Sequence, residues 1–306
     1  MKFTGEKAAF GRHETFALRF GWLTKGAQAL MSGDPVFEAE DATVQLGVGK
    51  NMVSSIRYWL QAARLIERTE AGWTLTGIGN YLFDDEGCDP YLEDEATIWL
   101  LHWLIASNPD LATSWWWFFN RFHKPEFTGA ELTTALQDFV KAEVQSRVSP
   151  STVKSDSEVL RRMYVRSAPR GSLQLEESLD SPLSVLGLVT ELPEGHGYES
   201  RPARRDSLPP TILGFAAVEL LRELRETQLP VSDLMYGPVG YPALGAVFRL
   251  TEGALLAKLE RLVAAMPHKF AFRETAGIHQ LYLLQDITPI ELLDSHYSAT
   301  MEGAAA

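Results

Sequence analysis

The sequence predicts a mainly α-helical protein with small β-hairpin wings: an N-terminal winged helix-turn-helix, a helical Trp-rich centre, and a second winged-helix-like module at the C-terminus. Three observations carry this prediction. A glycine turn, an amphipathic helix and a hairpin pattern follow one another within residues 35–83, tryptophans crowd residues 99–117, and a helix-then-hairpin pattern returns after residue 250. A chain of 306 residues has room for two or three modules. The expected divisions are 1–86, 87–208 and 209–306.

In the first module, Asp41 to Leu46 suit a short helix and Gly47-Val48-Gly49 a tight turn. A longer helix follows from about Lys50 to Ala63. Its apolar positions Met52, Val53, Ile56, Trp59, Leu60 and Ala63 recur at helical spacing and gather on one side. A rotation of about 100° per residue puts Lys50, Asn51, Ser54, Tyr58 and Gln61 on the other side, flanked by Ser55 and Arg57. That face carries no carboxylate, so it can approach bases and phosphates without repulsion. Leu65 to Arg68 and Trp73 to Thr76 then read as paired strands about Glu70-Ala71-Gly72. A winged helix can also serve protein contacts or packing alone; the carboxylate-free face favours double-stranded DNA.

An acidic run from Asp84 to Glu95 contains Gly87 and Pro90 and reads as a solubilising connector. Trp99, Trp103, Trp115, Trp116 and Trp117 lie on two helical patterns broken at Asn108-Pro109. Such residues can stack on unpaired bases, but among Leu and Ile their burial preference assigns them to a core. Thr128 with Glu131 forms a capping-box pattern. A further helix from near Ser151 carries Lys154, Arg161, Arg162, Arg166 and Arg170, and ends in a break over Gly171 to Asp180. Residues Glu191 to Pro210 form a second connector. Thr251-Glu252 then starts a helix with Leu255, Leu256, Leu259, Leu262 and Val263 inward, and Lys269 to Glu274 with His279 to Leu284 make a hairpin about Thr275-Ala276-Gly277-Ile278. Glu252, Lys258, Glu260 and Arg261 give that helix a mixed outer face, better suited to a structural or partner-binding role.

Composition narrows the function classes. The net charge of −12 denies the protein a general positive field, so nucleic acid must be met by local basic patches inside a larger assembly. The single cysteine, Cys88, excludes an internal disulfide and a cysteine-based zinc cluster. Its acidic neighbours also work against a reactive thiolate. There is no apolar run of membrane-spanning length and no secretory pattern, so a cytoplasmic protein without membrane contact is expected. Gly47-Val48-Gly49-Lys50-Asn51 lacks the spacing of a nucleotide phosphate loop, and no nucleotide is expected.

Two N-terminal runs are distinctive: Phe10-Gly11-Arg12-His13-Glu14-Thr15-Phe16 with Arg19, Gly21-Trp22-Leu23 and Lys25-Gly26, and Leu46 to Val53 with Ile56-Arg57-Tyr58-Trp59. Together with Asp156, Ser181-Pro182-Leu183 and Leu250-Thr251-Glu252-Gly253, they resemble the bacterial SspB-type family associated with DNA phosphorothioation. The resemblance covers nearly the whole chain. It implies a DNA-modification component of an antiphage system that nicks one strand so that sulfur can enter the backbone. It also implies a cysteine desulfurase, an adenylating sulfur-transfer enzyme and an ATPase as partners.

Nicking of this kind would use a divalent ion, Mg²⁺ or Mn²⁺, held by carboxylate or imidazole groups. The candidates are His13 and Glu14, with Arg12 and Arg19 as phosphate clamps, and Asp156 beside Lys154, Arg161 and Arg162. Each cluster has a structural alternative: a helix cap that pairs across a domain contact for the first, a solvated basic helix with one acidic partner for the second. No nuclease signature is recognisable, so a non-catalytic DNA-binding adaptor and a transcriptional regulator stand as alternatives.

Overall fold

The protein is described by a computed structural model over residues 1–33, 36–166, 181–275 and 277–304. The expected break over Gly171 to Asp180, Arg170, Pro35, and Ala276 of the last turn lie outside the described residues. Contacts divide the chain into two compact units, one of residues 3–118 and 122–201, the other of 1–2, 119–121 and 202–306. The segments expected as first and central modules thus fall largely in one unit.

The larger unit begins with α1 (Trp22–Met31), α2 (Ala42–Gln45) and α3 (Lys50–Ala62). Next come the strands β1 (Ile66–Thr69) and β2 (Gly72–Leu75), then α4 (Gly77–Phe83). The strands pair antiparallel with Arg68 opposite Trp73, and Gly72 at φ 121 supplies the turn that an L side chain resists. Helix α3 seats against α1, where Gly26 lets Leu60 and Ile56 approach so closely that a Cβ would lie 2.6 and 2.8 Å from them. Of the predicted inward stripe, Val53, Ile56, Trp59, Leu60 and Ala63 are buried, and Met52, in the first turn, is half-buried.

The start of α4 is fixed by Thr76, whose hydroxyl donates to the Arg64 carbonyl at 2.7 Å and accepts from the Gly79 amide at 3.1 Å. A Cβ at Gly79 would stand 2.1 Å from the Leu65 carbonyl oxygen, a backbone atom with no side-chain freedom to yield. Gly79→Ala is therefore expected to destabilise this unit by about 1–3 kcal/mol through overpacking. A thermal melt unchanged from the wild type would contradict that account.

Next come α5 (Glu95–Ala106), α6 (Thr113–Asn120), β3 (Glu126–Phe127), α7 (Gly129–Glu143) and α8 (Pro150–Tyr164), then β4 (Thr190–Glu191) and β5 (Tyr198–Glu199). Every residue of α5 from Ala96 to Ala106 is buried, as expected of a helix apolar all round. The tryptophans from 99 to 117 are core residues, not a stacking platform. The predicted capping box forms at α7: Thr128 accepts from the Glu131 amide while Glu131 accepts from the Thr128 amide at 2.8 Å. The acidic connector is more than a solubilising run. Asp89 is buried and accepts from the Glu93 and Asp94 amides at 2.8 and 3.1 Å, and from the Thr97 hydroxyl, thereby fixing the turn that leads into α5.

The smaller unit contains α9 (Pro210–Leu224), β6 (Gln228–Pro230), α10 (Val231–Tyr236), α11 (Leu244–Val247), α12 (Glu252–Ala265), β7 (Phe270–Thr275), β8 (Ile278–Leu283) and α13 (Pro289–Ala304). Its sheet has the order β6-β8-β7 with antiparallel pairing throughout. The helix-then-hairpin order matches the expectation, but Lys258 departs from the expected outer face of α12. It is buried, and its ammonium donates to the Leu208 carbonyl at 2.8 Å. Burial also lowers its pKa, the cost of taking a cation out of water. The chain is thus mainly α with small antiparallel sheets, and no helix among the described residues is long and apolar enough to cross a membrane.

Candidate nucleic-acid interface

The residues around His13 do not form a helix. Gly11, Glu14 and Thr15 have φ values of 70, 50 and 67, and this left-handed geometry makes a tight turn of residues 11–15. The turn is held from three directions. The Thr15 amide donates to His13 Nδ1 at 3.1 Å, Arg162 Nη2 donates to the Thr15 carbonyl at 2.6 Å, and Trp59 Nε1 donates to the Phe16 carbonyl at 3.2 Å. Of the structural alternative drawn from the sequence, the helix cap is replaced by a turn, and the long-range pairing is one within the larger unit, between His13 and Asp156.

The sequence treats His13 and Asp156 as separate candidates, yet they are partners. His13 Nε2 lies 3.0 Å from Asp156 Oδ1, with exposures of 0% and 1%. Because a backbone amide can only donate, Nδ1 is the acceptor nitrogen of His13 and Nε2–H donates to the carboxylate, a tautomer assigned from this network. Asp156 also accepts from the Gly11 amide at 2.8 Å on Oδ1 and from the Ser114 hydroxyl at 2.6 Å on Oδ2. The His13 ring stacks on Trp59 at 6.1 Å and meets the edge of Trp115 at 5.7 Å. One carboxylate thus binds the N-terminal turn, α6 and α8 together.

Between this turn and α3 lies a cleft of about 560 Å³. Its walls include Glu6, Arg12, Glu14, Ser54, Arg57 and Gln61, with Tyr58 at the same surface. Two of these positions come from the motif turn and three from the predicted reading face, so the structure joins features far apart in sequence. Among the described residues neither Arg12 nor Arg57 has a carboxylate partner; Arg57 instead lies over the Trp73 ring at 5.7 Å. Lys7 and Asp110, also on the wall, stand 3.8 Å apart. Lys50 and Asn51 are exposed at the start of α3, which has no side-chain cap and no acidic residue in its first turn.

Two residues of the expected outer face turn inward. Ser55 is fully buried, and Tyr58 is 6% exposed with its hydroxyl donating to the Leu111 carbonyl at 2.9 Å. For Tyr58 the reason is that α3 meets the segment before α6 as well as α1, so the outer face is narrower than a single apolar stripe implies. Burial raises the Tyr58 phenol well above its ordinary pKa, Asp156 adds to the rise and Arg12 opposes it.

The basic residues of α8 divide similarly. Lys154 is exposed and 3.8 Å from Glu158, whereas Arg161 donates to the Tyr198 hydroxyl at 2.8 Å and Arg162 holds the Thr15 carbonyl. Burial lowers the Arg162 pKa. Arg19 lies over the Trp22 ring at 5.4 Å rather than in the cleft. Glu6, Lys7 and Asp110 escaped sequence reasoning because nothing in their spacing links them to α3.

A cleft that holds Arg12, half-buried Arg57, Ser54 and Gln61 together with the carboxylates of Glu6, Glu14 and Asp110, beside a helix-and-hairpin unit, marks a candidate nucleic-acid-contacting surface. The chain belongs to the DUF4007 family of SspB-type proteins: the profile of this family, described as proteins of unknown function, matches residues 10–297. It is similar to two crystal structures, SspB and magnesium-ion-bound SspB, each with a TM-score of 0.81 and 30% identity over 95% of this chain and 88% of the other. No curated protein matches it.

Proposed function

We propose that this protein is the DNA-contacting component of a bacterial DNA phosphorothioate modification and antiphage system, and that it engages double-stranded DNA through α3 and the adjoining cleft. The supporting observation is that Arg12 from the turn and Ser54, Arg57 and Gln61 from α3 line one cleft, with both arginines unpaired by carboxylates among the described residues. Arginine forks suit phosphate oxygens and guanine edges, and Ser and Gln suit base edges. In this reading α2, the glycine turn, α3 and the β1–β2 hairpin are a winged helix-turn-helix, with α3 the reading helix. The net charge of −12 fits work inside an assembly with a cysteine desulfurase, an adenylating sulfur-transfer enzyme and an ATPase.

The reading assigns strand nicking to the cleft. Of the expected catalytic residues, Glu14 is exposed on its wall, while His13 and Asp156 are buried against each other. A divalent ion remains part of the proposal because the similar SspB binds magnesium. Among the described residues no three His, Cys, Asp or Glu side chains converge to hold an ion. Mg²⁺ commonly keeps several waters and uses one or two carboxylates plus substrate phosphates, so a ready-made cage is not required.

Supercoiled plasmid incubated with the protein and Mg²⁺ or Mn²⁺ is expected to accumulate open circles, and Glu14→Gln is expected to slow this at least tenfold. Plasmid that stays supercoiled under both metals sinks the nicking claim and leaves the non-catalytic adaptor, which the burial of His13 and Asp156 favours. Binding confined to one promoter would instead support a transcriptional regulator.

A further inference from the structure

A second cleft, of about 260 Å³, adjoins the first and shares Ala8, Ala9 and Arg12 with it. Its far wall is the segment before α8, including Arg147 and Ser149, together with Thr152 in the first turn of α8, and none of its lining residues is a carboxylate. Arg147 is exposed and, like Arg12, has no carboxylate partner among the described residues. Ser149 already caps α8 by accepting from the Thr152 amide at 3.1 Å, so the two arginines supply the charge here.

Arg12 stands on the ridge between the clefts, and the residues on both sides of it are fixed. The Gly11 amide and His13 Nε2 both donate to Asp156 Oδ1, at 2.8 and 3.0 Å. Gly11 is also closed against Thr152, whose methyl would lie 2.8 Å from a Cβ placed there. With its two neighbours anchored to one buried carboxylate, the Arg12 backbone has little freedom, and its side chain is exposed and lines both clefts. Anchoring of this kind lowers the entropy lost when an arginine orders on a ligand.

We infer that the phosphodiester backbone of bound DNA continues past the α3 cleft, pivots at Arg12 and is met by Arg147 in the second cleft, with Asp156 and His13 acting as positioning residues for Arg12. This rests on the DNA-contacting reading above. It assigns the buried pair a role in binding that needs no direct contact with DNA.

The test is fluorescence anisotropy of a labelled duplex of about 30 base pairs against salt, using the full chain. Removing a cation that neutralises one phosphate is expected to reduce the slope of log K against log salt by about one. Arg12→Ala and Arg147→Ala should each do so and weaken binding roughly tenfold at low salt. Asp156→Asn, which keeps the side-chain shape, should weaken binding in the wild type but add little in the Arg12→Ala background. If Arg57→Ala reduces the slope while Arg147→Ala leaves slope and affinity at wild-type values, the path ends at the α3 cleft and the inference falls. Equal losses from Asp156→Asn in both backgrounds would remove the positioning role. If Arg12→Ala, Arg57→Ala and Arg147→Ala all bind as wild type, the DNA-contacting reading itself fails.

Discussion

Asp156→Ala is expected to destabilise the larger unit by about 3–5 kcal/mol, because each of its buried donors left unsatisfied costs about 1–3 kcal/mol. The carboxylate satisfies three donors at once, the Gly11 amide, His13 Nε2 and the Ser114 hydroxyl, and sits at 1% exposure. Alanine would leave all three in a site walled by Trp59 and Trp115, with no carboxylate oxygen to accept from them. Unmet buried donors cost more than the lost bonds themselves contribute. Asp156→Asn retains an acceptor oxygen and should cost less, about 1–2 kcal/mol, because its amide nitrogen must take the place of one acceptor. Urea or thermal unfolding of both variants measures the difference. An alanine variant within about 0.5 kcal/mol of the wild type would mean that the pair does not hold the turn to α6 and α8.

The second large effect concerns DNA. Lys50→Glu combined with Arg57→Glu is expected to weaken duplex binding by about 3–4 kcal/mol at low salt, roughly two to three orders of magnitude. Both residues lie on α3, Lys50 exposed at its start and Arg57 on the cleft wall. Reversal replaces attraction by repulsion at two points, and the effect should shrink as salt screens it. Arg57 also covers the Trp73 ring, so a circular-dichroism spectrum and melt of the variant belong beside the mobility shift. Unchanged binding would show that α3 is not the reader.

Much of the local structure was legible in the sequence because local chemistry decides it. The Thr128–Glu131 capping box, the start of α12 at Thr251, the break between α5 and α6 and the β1–β2 hairpin all follow from signals a few residues wide. The buried stripe of α3 was legible for the same reason. Its outer face was only partly so, because a second packing partner on the far side of a helix leaves no periodic trace. Ser55 and Tyr58 are both buried, and Tyr58 is held to that partner through the Leu111 carbonyl.

The site's organisation was hidden by distance along the chain. His13 and Asp156 are 143 positions apart, and each was a candidate without any indication that they touch. Their contact changes the chemistry expected of them: an imidazole whose two nitrogens are both engaged, against a carboxylate with three donors, is arranged to hold a turn in place. Arg147 carried a faint local signal, a cation just before the Ser149-Pro150 helix start, but nothing that linked it to Arg12.

The central claim is that duplex DNA lies against α3 and its cleft. A photoreactive benzophenone side chain installed at Gln61, on the cleft wall, tests it most directly when compared with the same group at Val239, which is 90% exposed in the smaller unit. The account predicts that illumination crosslinks a labelled duplex to position 61 and not to position 239. Crosslinking at 239 with none at 61 would contradict it.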